Sequence, residues 1–349
     1  MVYSIMHSLP LRHGFAPDRW TNCIDAVLEK IPGKPIIEKL RIIMLFEADF
    51  NFMLKVVWGR RMVHNAERHD ALGPDNHGSR SGRQVGDAQL EKVLVYDHSR
   101  LSRTNLVTID NDAKSCYDRI LKSLSMAACV SYGLPLMAAI MHNKVHHRMQ
   151  HRIRTIHGLI RPYSGTPGND LEGTGQGSGA SPAIWLIYSV TLLAAFRKYT
   201  KGITLQSPFD NSLAVLIVAI LFVDDGMPGV NDADVYEPVP IIDLVQQAQN
   251  CAQSWERLLF ASGGALEMSK CFAYILYWDL ADGKHRLMEP SEIPGCNMDD
   301  EVGRGPITLT YGDVTDRNFP LETVSPWIGR RTLGVRAAPA GNWDDEYDF

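Results

Sequence analysis

The chain has 349 residues, 45% hydrophobic and 21% charged, with a formal charge of −5; such a composition packs into globular units and excludes a disordered or collagen-like chain. Its longest uninterrupted apolar runs, Leu213 to Val223 and Ala183 to Tyr188, are shorter than the ~20 residues that cross a bilayer. The amino-terminal residues lack the basic-then-apolar pattern of a secretion signal, so an intracellular address, nucleus or cytoplasm, and no membrane partner are expected. The acidic balance is local. From Asp279 onward fourteen acidic and seven basic residues give −7, and the preceding part sums to +2. Between Ile140 and Arg161 lie Lys144, Arg148, Arg152, Arg154 and Arg161, five histidines and no acid. Cys23, Cys116, Cys129, Cys251, Cys271 and Cys296 are scattered without a zinc-knuckle or redox spacing and read as free thiols of a reducing compartment.

In chain order, Pro10, Pro17, Pro32, Gly33 and Pro35 mark an irregular lead-in, followed by an apolar helical stretch from Ile36 to Met62. Residues 73–83 form a loop dense in breakers that carries Arg80 and Arg83, and Asp87 to Tyr96 has helical spacing. Leu106-Val107-Thr108-Ile109 is a strand signal running into Asp110-Asn111-Asp112. Tyr117 to Tyr132 keeps helical period, and a second helix, Leu136 to Ile156, carries the basic and histidine-rich stretch. A glycine-rich loop, Gly165 to Gly179, opens an apolar helix from Ser181 to Arg197. The β-branched run Leu213 to Val223 ends in the hairpin signal Asp224-Asp225-Gly226. A helix from Asp243 to Leu259, a turn at Gly263-Gly264 and an aromatic strand from Cys271 to Trp278 complete the order. Mixed elements without βαβ alternation predict an α+β fold, a small antiparallel sheet with helices packed on one face.

Asp224-Asp225 at a strand end places two carboxylates side by side; at about 4 Å they repel by ~4 kcal/mol at an effective dielectric near 20. Alone, the pair reads as a solvated turn. Asp112 also ends a strand, and three oxygen ligands at neighbouring strand ends suit Mg²⁺, which binds one or two carboxylates, waters and substrate phosphates. Two such ions can activate a hydroxyl and stabilise a leaving pyrophosphate.

Three stretches then carry a family resemblance. Asp112-Ala113-Lys114-Ser115-Cys116-Tyr117-Asp118, Gln176-Gly177-Ser178-Gly179-Ala180-Ser181-Pro182 and Phe222-Val223-Asp224-Asp225 resemble, in order, the palm motifs of the reverse transcriptase domain of a retroelement, non-LTR-like. Weaker motifs extend the resemblance across Lys39 to Val335: Lys39-Leu40-Arg41-Ile42-Ile43 without the usual proline, Gly78 to Arg83, Gly264 to Lys270, and Arg331-Thr332-Leu333-Gly334-Val335, similar to a primer-grip hairpin. It implies a right-hand polymerase with fingers and palm, the thumb absent or truncated, divided as an irregular lead-in (1–35), fingers (36–105), palm (106–135), a basic helical segment (136–165), palm again (166–278), an acidic insertion (279–322) and a primer-grip-like hairpin and tail (323–349).

The implied activity is RNA-directed DNA synthesis by two-metal-ion nucleotidyl transfer, with an RNA template, a DNA primer and dNTPs as partners, together with other parts of a retroelement polyprotein. Asp112, Asp224 and Asp225 would hold two Mg²⁺ ions, with Mn²⁺ as a substitute. Asp112 is preferred to Asp110 because only its frame puts Tyr117 and Asp118 at the family spacing; Asp110 is read as an outer or solvated acid. Tyr117 would stack under the sugar and exclude a 2′-hydroxyl, and Gln176 and Gly177 would approach the nascent base pair. Lys270 would neutralise or protonate the pyrophosphate, and Arg41, Arg80 and Arg83 would hold phosphates. The bland readings are a core aromatic for Tyr117, a surface lysine for Lys270 and solvated arginines. Gly175-x-Gly177-x-x-Ala180 imitates a dinucleotide fingerprint, but no strand leads into it. His142, His146, His147 and His151 have helical spacing suited to zinc, yet no cysteine or acid accompanies them; a basic helix along a phosphate backbone is preferred. The rival functions are a truncated or decayed retroelement product that binds nucleic acid without catalysis, and a phosphotransfer enzyme that needs no template.

Overall fold

The computed structural model describes residues 2–34, 36–37, 40–166, 171–210, 212–233, 239–281, 283–296, 304–312 and 317–347. In chain order, helix α1 (Val2–His13) and strands β1 (Asn22–Glu29) and β2 (Leu40–Phe46) precede α2 (Ala48–Leu54), a π-helical stretch (Lys55–Val63), α3 (His64–Arg68) and α4 (Val85–Ser102). Strand β3 (Leu106–Asp112) leads to α5 (Cys116–Arg119), α6 (Lys122–Ser131), α7 (Leu136–His147), β4 (Gln150–Thr155), β5 (Gly158–Leu159) and α8 (Ser181–Phe196). Then follow β6 (Ile203–Gln206), β7 (Ala214–Ile217), β8 (Ala219–Phe222), β9 (Asp225–Asn231), α9 (Ile241–Ala261) and β10 (Phe272–Leu276). Strands β11 (Trp278–Ala281), β12 (Lys284–Leu287), β13 (Arg304–Thr310), β14 (Asn318–Val324), β15 (Arg330–Thr332) and β16 (Val335–Ala337) and helix α10 (Asp344–Tyr347) end the chain. Among the described residues these strands form a six-stranded sheet ordered β13-β14-β10-β3-β9-β8, a four-stranded sheet ordered β2-β1-β4-β5, and three two-stranded ribbons. The fold is thus α+β and rich in antiparallel pairs; among the described strands β1–β4 and β10–β14 pair in parallel. No helix among the described residues is long and apolar enough to cross a membrane. The chain divides into two compact units, residues 1–72 with 115–189 and residues 73–114 with 190–349.

The first unit corrects several sequence expectations. The lead-in is ordered: it holds α1 and β1. The stretch expected as one helix from Ile36 begins instead as β2, paired antiparallel with β1 from Cys23↔Phe46 to Glu29↔Leu40. Its run of Leu, Ile, Met and Phe is short and apolar, a pattern that periodicity cannot assign between helix and strand, and the neighbouring strand decides it. Lys39 lies outside the described residues. The expected helix from Tyr117 breaks at Ile120, whose ψ of 138° is extended. There the carbonyls of Tyr117 and Ile120 accept the amides of Thr174 and Gly173 at 2.7 and 3.1 Å, so the glycine-rich loop takes acceptors that a continuing helix would use. The basic helix also ends early: α7 stops at His147, and Arg152 and Arg154 sit on β4, in register with Ile24 and Ala26 of β1.

In the second unit β3 is the centre. It pairs with β10 and β9, both antiparallel. Side chains alternate across a sheet, so Leu106, Thr108 and Asp110 share one face, where Leu106 joins Ala88, Val95 and Tyr96 of α4 and Phe272, Tyr274 and Val324 in one apolar cluster. Val107 and Ile109 point the other way and are equally buried. Both faces of the central strand are therefore covered, where helices on one face were expected. Helix α9 packs against β3, β9 and β13. It buries Leu244, Ala248, Cys251, Trp255 and Leu259 along one helical stripe, each large side chain contributing about 1.5–3 kcal/mol. The run Leu213 to Val223 is two strands rather than one. Its break at Val218 follows from Asp75, whose carboxylate accepts the Val218 amide at 3.0 Å.

Candidate active site

Strand register assembles the acidic set. Asp112 ends β3 directly opposite Asp225, the first residue of β9. Phe222 of β8 also pairs with Asp225, so the two-residue turn is Val223-Asp224; the sequence reading put Asp225-Gly226 in the turn, and both belong to the strand. Val223 makes this possible by adopting φ +58°, a conformation that a β-branched residue rarely takes. Backbone bonds fix the neighbourhood: Ala113 N–H donates to Asp224 O at 2.7 Å, Glu267 N–H to Asp112 O at 2.9 Å, and Lys114 N–H to Ala265 O at 2.8 Å. The last two stitch the turn before β10 to the end of β3 and deliver Lys270, whose Nζ donates to Asp112 Oδ2 at 2.6 Å.

Asp224 is exposed, while Asp112 and Asp225 are half-buried. Burial, then the charges of Asp224, Asp112 and Asp110, push Asp225 up to about 6. Partial burial works against the Lys270 charge, but the bond to Asp112 and the fields of Asp112, Asp224 and Asp225 outweigh it and raise its pKa. The donor set is all carboxylate oxygen and over-supplied with negative charge, with one ammonium against it. Hard divalent cations take donors of this kind; register sets Asp112 opposite Asp225, with Asp224 the preceding residue of the turn.

Asp110 behaves differently from the expected outer or solvated acid. It is buried within β3 and paired with Lys92 of α4, and burial raises its pKa against the pull of Lys92. Lys92 also donates to Thr332 Oγ1 at 2.7 Å, and Gln89 donates to the Leu333 carbonyl, so α4 grips the β15–β16 hairpin. The turn of that hairpin, Leu333-Gly334, has φ of +55° and +87°, as a two-residue type I′ turn requires. Sequence reading overlooked Lys92. Its signal was its place on the buried stripe Ala88, Lys92, Val95, Tyr96, Ser99 of α4, where an ionisable residue needs a partner.

The hairpin and the acids enclose a cleft of about 690 Å³ lined by Asp112, Asp225, Lys270, Arg330, Arg331 and Arg336 among others. Arg331 and Arg336 face each other across the hairpin, and Arg330 pairs with Glu322. Glu322 and Asp345 line the cleft beside these arginines, so acids and guanidinium groups share it; guanidinium groups pair well with phosphate oxygens.

Of the remaining residues, Arg80 donates to the Gly73 and Asn76 carbonyls and Arg83 to Pro74 O at 2.8 Å, so both close their own loop. That loop is seated beside β8, with His77 N–H on Leu221 O at 2.8 Å. Arg41, Tyr117, Gln176 and Gly177 lie in the first unit. Arg41 is exposed on β2. Gln176 is held by its backbone, the N–H on Asp118 Oδ1 at 3.2 Å and the carbonyl accepting Met44 N–H at 2.7 Å. Gly177 has φ +116°, and a Cβ there would sit 2.4 Å from Met44 O; only glycine fits.

No family's sequence profile matches this chain, and no curated protein does. Among solved structures it is similar to telomerase from Candida tropicalis in complex with a TWJ fragment of telomeric RNA, with 12% identity and a TM-score of 0.48 over 87% of this chain and 47% of that one. It is also similar to apo telomerase from Candida tropicalis truncated from its C-terminal domain (13% identity, TM-score 0.46, 84% of this chain and 58% of that one). Telomerase from Candida albicans with a TWJ fragment of telomeric RNA gives 13% identity and a TM-score of 0.44 over 78% and 45% of the two chains. The chain spans about half the length of the structures it matches.

Proposed function

We propose that this chain is a template-directed nucleotidyltransferase of the reverse transcriptase kind, extending a DNA primer on an RNA template from dNTPs, and that it derives from a non-LTR-like retroelement. The observation that carries the reading is the register of β3 and β9: it sets Asp112 opposite Asp225, beside the Val223-Asp224 turn and under Lys270. A buried acid cluster without this opening would be structural. Here Asp112 and Asp225 line a cleft that Lys270, Arg330, Arg331 and Arg336 line too.

In this reading Asp112, Asp224 and Asp225 hold two Mg²⁺ ions, with Mn²⁺ as a substitute. When bound, the ions supply activation of the primer 3′-hydroxyl and charge stabilisation of the leaving pyrophosphate. Lys270 gives the departing group a proton or a counter-charge, a role suited to an ammonium already beside the acids. Arg331 and Arg336 hold backbone phosphates, a geometry for which guanidinium forks are suited. Arg41, Arg80 and Arg83 are assigned to phosphates too, the last two by exchanging the loop carbonyls they now hold. Tyr117 is assigned the sugar, and Gln176 with Gly177 the base.

Primer extension on an RNA template with Mg²⁺ or Mn²⁺ tests this. The wild-type chain extends the primer, and Asp224→Asn loses at least about a thousandfold, the equivalent of the several kcal/mol that ligated cations supply. Template binding without extension by either protein identifies a nucleic-acid-binding remnant; extension by both removes the acid cluster from the chemistry.

A further inference from the structure

The four-stranded sheet gathers a second set of ligating groups that has no part in nucleotidyl transfer. Cys23 and Asp25 lie two residues apart on β1, hence on the same face, and Cys23 is in register with His151 of the parallel strand β4. All three are buried, Cys23 and Asp25 at 1% exposure and His151 at 8%. Their sulfur, oxygen and nitrogen atoms lie within 4.8 Å of one another. Cys23 Sγ is 3.7 Å from Asp25 Oδ1, and His151 Nδ1 is 3.2 Å from Asp25 Oδ2. Ligands about 2.0–2.3 Å from a tetrahedral ion stand about 3.3–3.8 Å apart; the Cys23–Asp25 separation lies in that range and the Asp25–His151 separation just below it.

Three further observations point to a ligand. A cavity of about 340 Å³ opens beside the set, lined by Asp25, His146, His151 and Tyr163. His146 is 8% exposed, and its Nε2 has no hydrogen-bond partner; a buried polar atom in this state costs stability unless something occupies it. Tyr163 donates its hydroxyl to Asp25 Oδ2, and its backbone exchanges both bonds with His151 at 2.8 and 2.9 Å. That is the kind of outer support that orients metal-binding carboxylates and imidazoles. The thiol donates toward Asp25 rather than toward His151, which does not suit a nucleophile activated by an imidazole base.

We propose that Cys23, Asp25 and His151 bind a Zn²⁺ ion, with His146 facing the open fourth position. Mixed sulfur, nitrogen and oxygen donors in four-coordinate geometry select zinc over the hard ions suited to the acidic site. On binding, Cys23 gives up its thiol proton to solvent and ligates as the thiolate. The ion ties residues 23 and 25 to residue 151 and so braces β1 against β4. In sequence no cysteine or acid accompanies the histidines; the fold brings Cys23 and Asp25 to His151. The proposal is independent of the polymerase reading.

The test uses the full chain stripped with a chelator and titrated with Co²⁺, then Zn²⁺. The expected result is one equivalent of Co²⁺ with a thiolate-to-cobalt charge-transfer band and tetrahedral d–d absorption, both displaced by Zn²⁺ and untouched by excess Mg²⁺. Cys23→Ser abolishes the charge-transfer band, and His151→Gln weakens binding at least tenfold. Tyr163→Phe keeps the band and weakens affinity about 10- to 100-fold, as loss of outer support does; it carries the test if a ligand variant fails to fold. Absence of the band in the wild type, its survival in Cys23→Ser, or unchanged affinity in Tyr163→Phe overturns the site.

Discussion

Two sheets of this molecule each bring ionisable side chains into register and settle their charge in opposite ways. At the end of the six-stranded sheet Asp224 is exposed and Asp112 and Asp225 are half-buried, and burial, then the charges of Asp224, Asp112 and Asp110, pushes Asp225 up to about 6. Inside the four-stranded sheet, burial opposes the charge of Asp25, but hydrogen bonds from His151 and Tyr163 hold its pKa below the usual carboxylate range. The first set has oxygen alone to offer and accumulates negative charge. The second mixes sulfur, nitrogen and oxygen and satisfies itself internally. Exposure and donor type thus differ in the way the two proposals need, hard cations with phosphate at the first set and a softer ion in the interior at the second.

The rule that exposure marks chemistry and burial marks stability is broken or kept within a single strand. Asp110 and Asp112 stand two residues apart on β3 and both border the cleft, the first buried and paired with Lys92, the second half-buried and paired with the half-exposed Lys270. Asp110→Asn leaves the Lys92 ammonium in the core without its counter-charge and should cost about 3–5 kcal/mol of unfolding free energy. Asp112→Asn removes a pair with the half-exposed Lys270 and should cost less than about 1 kcal/mol while eliminating primer extension. Urea denaturation of both variants beside the extension assay decides it. A stable Asp110→Asn or an unfolded Asp112→Asn would reverse the assignment.

Acid sharpens the comparison. Burial lowers the pKa of His142 from 6.5 to about 4, with contact to Asn143 opposing this and Lys122 adding to it; His146 is lowered as well, by burial and then by the charge of His142. The unfolded chain therefore takes up protons first. The stability that neutral His142 confers is complete above pH 6.5 and is lost as pH falls toward 4, by up to about 3 kcal/mol. Asp225 runs the other way: its folded pKa is raised above 3.8, so the folded state binds the proton first and acidification through about 6 favours it. In metal-free protein, amides of α7, the helix that carries His142 and His146, should exchange faster between pH 6.5 and 4 while those of β3 and β9 do not, and His142→Leu should flatten the first trend. Equal loss in both regions would erase the distinction.

These contrasts also explain what was legible in the sequence. Asp112, Asp224 and Lys270 announce themselves because each sits beside a local signal, a strand end, a hairpin or a glycine turn, and short-range rules read such signals. The hairpin Arg331 to Val335 was legible through the family resemblance alone; in the structure Leu333-Gly334 forms its turn. Cys23, Asp25 and His151 carry no such mark: their meeting depends on a parallel β1–β4 pairing across more than a hundred residues, and β1 was hidden in a segment read as irregular. Lys92 and Asp75 were missed because their importance lies in what they neutralise or interrupt, Asp110 in one case and the strand at Val218 in the other.

The smallest expected effects lie at the turn that carries Asp224. A Cβ on Gly78 would approach the Val223 nitrogen to 2.5 Å, so the loop passes as close to the hairpin tip as glycine allows. Gly78→Ala must move one of the two backbones; it should cost about 1–3 kcal/mol and, if the proposed role of Asp224 holds, lower extension, because Asp224 sits in the displaced turn. Val223 tests the same contact from the other side. Its φ of +58° stores strain of order 1–3 kcal/mol, whereas glycine there costs about 0.5–1 kcal/mol in chain entropy. Val223→Gly should therefore raise stability by about 1 kcal/mol and, by loosening the tip, lower extension. A Val223→Gly chain that is less stable would mean that the left-handed turn is set by its neighbours at no cost to valine, and that the rim of the six-stranded sheet is as relaxed as its interior.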